Sequence, residues 1–185
     1  VTVTNVTATL FRWPGIPPVS YGGRNRDTRE SELALVCVET DAGIFGEALL
    51  GASIRSARLD IDGLFRTVRP ELIGAPALSV EETWARLQRC ARATTQRVIG
   101  TVDVALWDIV GKAAGRPLRK LFGGYRQRLQ AYASSPTHPE IDPYVDEALE
   151  MRRRGFRGYK IHPPADARMC IAICRRLRAE LGDEY

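Results

Sequence analysis

The chain has 185 residues, 44% of them hydrophobic and 26% charged, and a formal charge of +5. This composition is ordinary for a soluble globular protein, and no apolar run approaches the ~18–20 residues of a membrane span. Of the basic residues 24 are arginine and three are lysine (Lys112, Lys120, Lys160); outside Arg152–Arg154 they are scattered and no nucleic-acid motif accompanies them.

The start, VTVTNVTATLF, has no basic n-region followed by an apolar h-region, so a cytoplasmic protein is expected. Residues 1–12 are rich in Val and Thr and predict a strand. Trp13 to Glu32 reads as a long loop, and Trp13, Ile16, Val19 and Tyr21 give it an apolar side that favours a lid or substrate-facing loop over a linker. Residues 33–40 and 44–49 form a hairpin around Asp41-Ala42-Gly43, with Gly46 and Gly51 read as bends.

Three helices are predicted next. The first runs from about Ser53 to Val68 and stops before Pro70. The second opens with a Ser79/Glu82 capping box and lines one face with Val80, Trp84, Leu87 and Ala91. The third runs from about Ile99 to Ala114, apolar on several sides, and ends at Gly115. The pattern then changes at 118–124. Arg128–Ala133 and Phe156–His162 read as strands, and Pro143–Arg154 and Ala165–Leu181 as helices. Alternating strand and helix means parallel strands with crossover helices. About 60 residues follow position 125, too few to cover both faces of a parallel sheet, so the chain reads as the front part of a longer protein.

Cys37, Cys90, Cys170 and Cys174 lie in regular-structure patterns without a further Cys or His pair close in sequence, and are read as buried reduced thiols. The stretch Gly155–Pro164, GFRGYKIHPP, carries more chemistry. In a strand Gly158, Lys160 and His162 share one face, and Pro163-Pro164 ends the ladder. A lysine and a histidine two apart at the carboxyl end of a strand make an acid–base pair available. On these residues alone, His162 is open between a structural and a proton-transfer role.

Val102–Gly124, reading VDVALWDIVGKAAGRPLRKLFGG, closely resembles the last helix and linker of the N-terminal capping domain in the enolase superfamily, in its mandelate racemase and muconate lactonizing branch. Leu129–Ser134 resembles barrel strand one and Gly155–His162 barrel strand two. The resemblance implies an α+β capping domain over residues 1–125, a three-stranded meander plus a helical bundle. Residues 126–185 would be the first two βα units of a (β/α)8-type barrel, truncated. It also implies removal of the proton α to a carboxylate, with Mg²⁺ stabilising the ene-diolate, at the carboxyl ends of the strands.

The family motif on strand two is Lys-x-Lys, its first lysine steadying the substrate carboxylate and its second acting as base. Lys160 matches the first, and His162 stands in place of the second; a histidine can still take a proton, and the residue type, with an unperturbed value of about 6.5, suits general-base work. The family's three acidic metal ligands lie on strands three to five, so they are expected beyond residue 185. Asp103, Asp108, Asp183 and Glu184 are read as helix polarity or solvent exposure, and Asp108 with Lys112 as a structural contact. Trp13, Ile16, Tyr21, Leu50 and Ile54 match specificity-loop regions of the capping domain, and Ser135 and His138 follow strand one. The leading reading is an acid-sugar dehydratase acting on a small-molecule carboxylate, as a homo-oligomer with no nucleic-acid or membrane partner. A racemase or epimerase of a 2-hydroxy acid or amino-acid derivative is the alternative within the class. A non-catalytic Arg-rich binder using Arg152–Gly158 is the alternative outside it. For that stretch, the dipole at a helix C-terminus accounts for Arg152–Arg154.

Overall fold

The computed structural model describes residues 1–14, 19–21, 24–26, 30–51 and 56–185, those at 19–21, 24–26 and 30–31 by their backbone. The backbone divides into two compact units, Val1–Ile16 with Arg29–Tyr125, and Pro17–Thr28 with Arg126–Tyr185.

The first unit is built on an antiparallel sheet. Its strands are β1 (Val3–Pro14), β4 (Glu30–Thr40) and β5 (Phe45–Gly51), in that spatial order; β2 (Val19–Tyr21) and β3 (Arg24–Arg26) pair separately. The register sets Thr9 against Leu35 and Leu35 against Leu49. Alternation sends successive side chains to opposite faces. Val3, Val6, Ala34, Val36, Val38, Ala48 and Leu50 are accordingly buried together, while Phe11, Trp13 and Leu49 are exposed. The expected loop 13–32 is in part a ribbon: Trp13 pairs with Ser31, Pro14 pairs with Glu30, and the backbone of β2 and β3 forms a second hairpin. β1 is an edge strand, and an edge tolerates a proline because one side of the ladder needs no N–H.

Helices cover the inner face. They are α1 (Arg58–Gly63), α2 (Arg69–Leu72), α3 (Val80–Leu87), α4 (Gln96–Ala113) and α5 (Leu118–Leu121). α4 begins at Gln96, ahead of the start expected near Ile99, and ends about where expected. Thr95 caps it by accepting from the Val98 N–H at 3.4 Å, and Gly115 follows its end at φ +58°. Ile99, Val102, Ala105, Leu106 and Ile109 are buried against the sheet. Gly46 is not a bend but a close approach. It is paired with Val38 inside β5, and a Cβ built on it would run into the Ala105 carbonyl and lie 2.9 Å from Ile109 Cγ1.

Asp108 and Lys112 stitch the outer edge of β5 to α4. They pair at 2.8 Å; Asp108 accepts from the Glu47 N–H at 3.0 Å, and Lys112 Nζ donates to the Phe45 carbonyl at 2.7 Å. An edge strand needs such partners for its outward backbone groups, so the contact is structural, as expected.

The first predicted helix is in fact three pieces; its expected start at Ser53 lies outside the described residues. α1 passes into a wide π-type turn at Leu64–Val68, and α2 continues with Pro70 in its first turn. Proline has no N–H to close an ordinary helical bond, and a widened turn absorbs that loss. Ser79 stands at the N-cap of α3 without a side-chain capping bond, and Trp84 is 45% exposed while Thr83 is buried. The capping box and the position of Trp84 on the inner face are therefore corrected. The helix turns Val80, Thr83 and Leu87 inward.

Asp60 on α1 is fully buried, accepting from Thr95 Oγ1 at 3.0 Å and from Arg97 Nη1 at 3.3 Å. It ties α1 to the start of α4. Buried charges persist only when paired and hydrogen-bonded. Asp60→Asn keeps the shape and loses the charge-assisted bond, which should cost about 2 kcal/mol. Urea denaturation of the full-length protein checks this, with a lower midpoint and unchanged slope expected.

Besides β2 and β3, the second unit holds β6 (Ala133–Ser134), α6 (Asp142–Arg153), β7 (Tyr159–Lys160) and α7 (Ala167–Leu181), with β6 and β7 parallel. Tyr144, Val145, Ala148, Ile173 and Leu177 form its buried cluster, and Tyr159 and Ile161 pack against it. Asp166 caps α7 by accepting from the Arg168 N–H at 2.9 Å. Both strands are shorter than expected. Residues 128–132 take no ladder bonds, and Leu129 is 78% exposed. All four cysteines are free thiols, none fully buried; Cys174 is exposed, which corrects the expectation of burial.

Candidate functional site at the strand ends of the second unit

The parallel pair β6–β7 places Ser134 beside Lys160. The Ser135 N–H donates to the Lys160 carbonyl at 2.9 Å, extending the ladder by one step. Tyr159 and Ile161 turn toward the buried cluster. Lys160 is exposed and His162 half-buried, on the opposite face by alternation.

His162 is held at several atoms. Its backbone N–H donates to Ser135 Oγ at 3.0 Å, and its Nδ1 lies 2.7 Å from the Ser135 carbonyl oxygen. A carbonyl oxygen only accepts, so Nδ1 carries the hydrogen. The basic lone pair of the neutral ring is then on Nε2. The Tyr144 hydroxyl donates to the His162 carbonyl at 2.8 Å and accepts from the His138 N–H at 2.8 Å. Below these bonds, Glu147 Oε2 accepts from Tyr159 Oη at 2.7 Å and lies 3.0 Å from His138 Nε2. Burial first, then the hydrogen bond to Glu147, push the Tyr159 hydroxyl far above its ordinary value. Burial also raises Tyr144. Both phenols therefore remain donors across the neutral range.

The other expected site residues fall in different places. Leu50 is fully buried in the core of the first unit. Strand alternation points it inward, so it is a packing residue, and its expected place at a substrate loop is corrected. Trp13 is 46% exposed and stacks on Phe11 with ring centroids 6.3 Å apart. Ile16, Ile54 and the side chain of Tyr21 lie outside the described residues. Ser135 is 3% exposed and is engaged by Lys160 and His162; His138 pairs with Glu147. Tyr144 and Glu147 were not singled out in the sequence. Their signal was faint: two polar-tipped residues, i and i+3, on the inward face of an amphipathic helix.

Among the described residues no three His, Cys, Asp or Glu side chains come together as a metal site. Asp103 is half-buried, its carboxyl raised by burial and then by Glu81. Arg153 and Arg154 pair with Glu150 at 2.8 and 3.6 Å, at the C-terminal end of α6. No helix among the described residues is long and apolar enough to cross a membrane.

Residues 6–123 match the mandelate racemase / muconate lactonizing enzyme N-terminal domain family. A Chromohalobacter salexigens protein described as D-galactonate dehydratase family member ManD is 39% identical over 148 residues, covering 77% of this chain and 34% of that protein. An enolase superfamily member from Polaromonas sp. JS666 superposes with a TM-score of 0.86 at 30% identity, covering all of this chain and 50% of that one. D-glucarate dehydratase from Agrobacterium tumefaciens, solved with magnesium, shares the fold at a TM-score of 0.79 and 23% identity, covering 99% of this chain and 52% of that one. The chain thus spans about a third of the curated relative and half of each solved chain. The match over most of its length and the three-stranded sheet with its helices place the chain in the enolase superfamily, as a member of the mandelate racemase / muconate lactonizing enzyme family carrying its N-terminal capping domain.

Proposed function

We propose that this chain is the N-terminal part of an acid-sugar dehydratase, with residues 1–125 as the capping domain and 126–185 as the start of a (β/α)8-type barrel. The observation that carries the reading is the end of β7: Lys160 is exposed, and two residues on His162 is fixed with its lone pair on Nε2. In this reading Lys160 holds the substrate carboxylate by charge. His162 Nε2 moves the proton at C2 or at the departing C3 hydroxyl. Loss of the C2 hydrogen and the C3 hydroxyl together yields an enol that becomes a 2-keto acid.

The dehydratase name of the Chromohalobacter relative supports the substrate class. Mg²⁺ belongs to the proposal as the ion of the whole enzyme, where it would stabilise the ene-diolate. The described residues offer no three-ligand set for it, so its ligands are proposed to lie outside them, and residues 1–185 alone should turn over no substrate. Trp13, Ile16, Tyr21, Ile54 and His138 are proposed as residues around the substrate, and the whole enzyme as a cytoplasmic homo-oligomer.

The test is to incubate the full-length enzyme and Mg²⁺ with a panel of acid sugars and follow 2-keto acid formation. Water loss with a 2-keto product supports the reading. Inversion at C2 without water loss assigns a racemase or epimerase, and inactivity on every acid sugar contradicts the substrate class.

A further inference from the structure

We propose that Ser135 and Tyr144 are positioning residues that lock His162 as its Nδ1–H tautomer, leaving Nε2 as the atom that moves the proton. The inference rests on the reading of His162 as a proton-transfer group.

A neutral imidazole in water shares its hydrogen between both nitrogens, but a base needs its lone pair at one defined atom. Here Ser135 grips the strand end at three of its own atoms. Its N–H donates to the Lys160 carbonyl at 2.9 Å, its Oγ accepts from the His162 N–H at 3.0 Å, and its carbonyl accepts from His162 Nδ1 at 2.7 Å. The Nδ1–H bond persists whether the ring is neutral or protonated, because Nδ1 is a donor in both forms. Ser134 Oγ, at 3.5 Å from the same nitrogen, is too distant to compete.

Tyr144 holds the clamp from below. It is fully buried and has one hydroxyl hydrogen, which goes to the His162 carbonyl at 2.8 Å; the His138 carbonyl at 3.4 Å is the poorer acceptor. Its oxygen accepts the His138 N–H. One phenol thus joins the loop after β6 to His162, two residues past the end of β7, and the peptide of His162 cannot rotate without breaking that bond. Such preorganisation spares the reaction the cost of selecting a ring orientation in each turnover. Tyr144→Phe removes the hydroxyl and leaves two buried backbone groups without it. Ser135→Ala removes Oγ and keeps the carbonyl.

The experiment is ¹⁵N–¹H correlation NMR of the histidine side chains in the full-length enzyme at pH 8, with His162→Asn identifying the His162 signals. Wild type should show the Nδ1–H tautomer alone. Tyr144→Phe and Ser135→Ala keep the Ser135 carbonyl but loosen its alignment with Nδ1, so each should show some Nε2–H form beside the Nδ1–H form, with kcat lowered about tenfold and KM changed by less than about twofold. If Tyr144→Phe does not fold, Ser135→Ala supplies the same readout. A wild-type Nε2–H tautomer overturns the proposal, as does an unmixed Nδ1–H signal with unchanged kcat in the variants. Full turnover by His162→Asn, beside a wild-type Nδ1–H signal, would instead overturn the proton-transfer reading on which the proposal rests while leaving the clamp measured.

Discussion

Replacing His162 with Asn in the full-length enzyme should lower both α-hydrogen exchange and turnover by about 10²–10⁴-fold, the usual contribution of a positioned acid–base group. The substitution isolates the chemistry. An asparagine amide N–H can still donate toward the Ser135 carbonyl that His162 Nδ1 reaches at 2.7 Å, and the backbone bonds to Ser135 Oγ and Tyr144 do not depend on the side chain. What asparagine lacks is a basic nitrogen. The fold should therefore survive, as checked by circular dichroism and thermal unfolding, while the proton-transfer step is lost. Exchange is measured separately from turnover because the two separate the roles: loss of both places His162 at abstraction of the C2 hydrogen, whereas loss of turnover with exchange retained places it at departure of the hydroxyl. Unchanged exchange and unchanged turnover would remove His162 from the chemistry.

Gly46→Val should abolish cooperative folding of the capping domain, and Gly46→Ala should destabilise it by about 3 kcal/mol. The cause is geometric. α4 lies so close over β5 that a Cβ on Gly46 collides with the Ala105 carbonyl, which is backbone and cannot swing aside, and crowds Ile109. To make room, α4 must lift from the sheet, exposing Val102, Leu106 and Ile109, each worth roughly 1.5–3 kcal/mol when buried. Gly100, in the same helix, is the control. A Cβ there meets nothing within 4 Å, so Gly100→Ala should stabilise by about 0.5–1 kcal/mol through helix propensity. Chemical denaturation of the three variants checks the series. Equal effects at Gly46 and Gly100 would mean that the glycines differ in nothing but propensity.

The contrast between those glycines shows where the sequence stops being legible. Both are single letters in apolar patterns, and Gly46 read as a bend because what it makes room for is a helix backbone 59 residues away, at Ala105. The stripe and the terminal glycine of α4 are local signals read from the sequence, whereas its Thr95 cap and its first turn at Gln96–Val98 precede the start expected near Ile99. The first helix was readable only as a helix: Pro70 marks a break in the hydrogen-bond ladder, and whether the chain stops there or widens by a turn depends on the packing of Leu64, Val68 and Leu72. Helical spacing puts Trp84 on one face with Val80 and Leu87, yet the smaller Thr83 takes the buried position. At the site, alternation alone separates Lys160 and His162 from Tyr159 and Ile161. The partners of His162 come from residue 135 and residue 144, brought in by a parallel crossover, and no local pattern carries that pairing. The tautomer follows only from a distance.

The proposed reaction of the full-length enzyme is α-hydrogen abstraction from an acid sugar followed by loss of water. The most direct measurement is NMR of the product formed by the full-length enzyme with Mg²⁺ in D₂O. The prediction is a 2-keto acid with one solvent deuterium at C3, at a rate that falls with His162→Asn. Recovery of the acid sugar with its C2 hydrogen intact and no 2-keto product, across the panel, would contradict it.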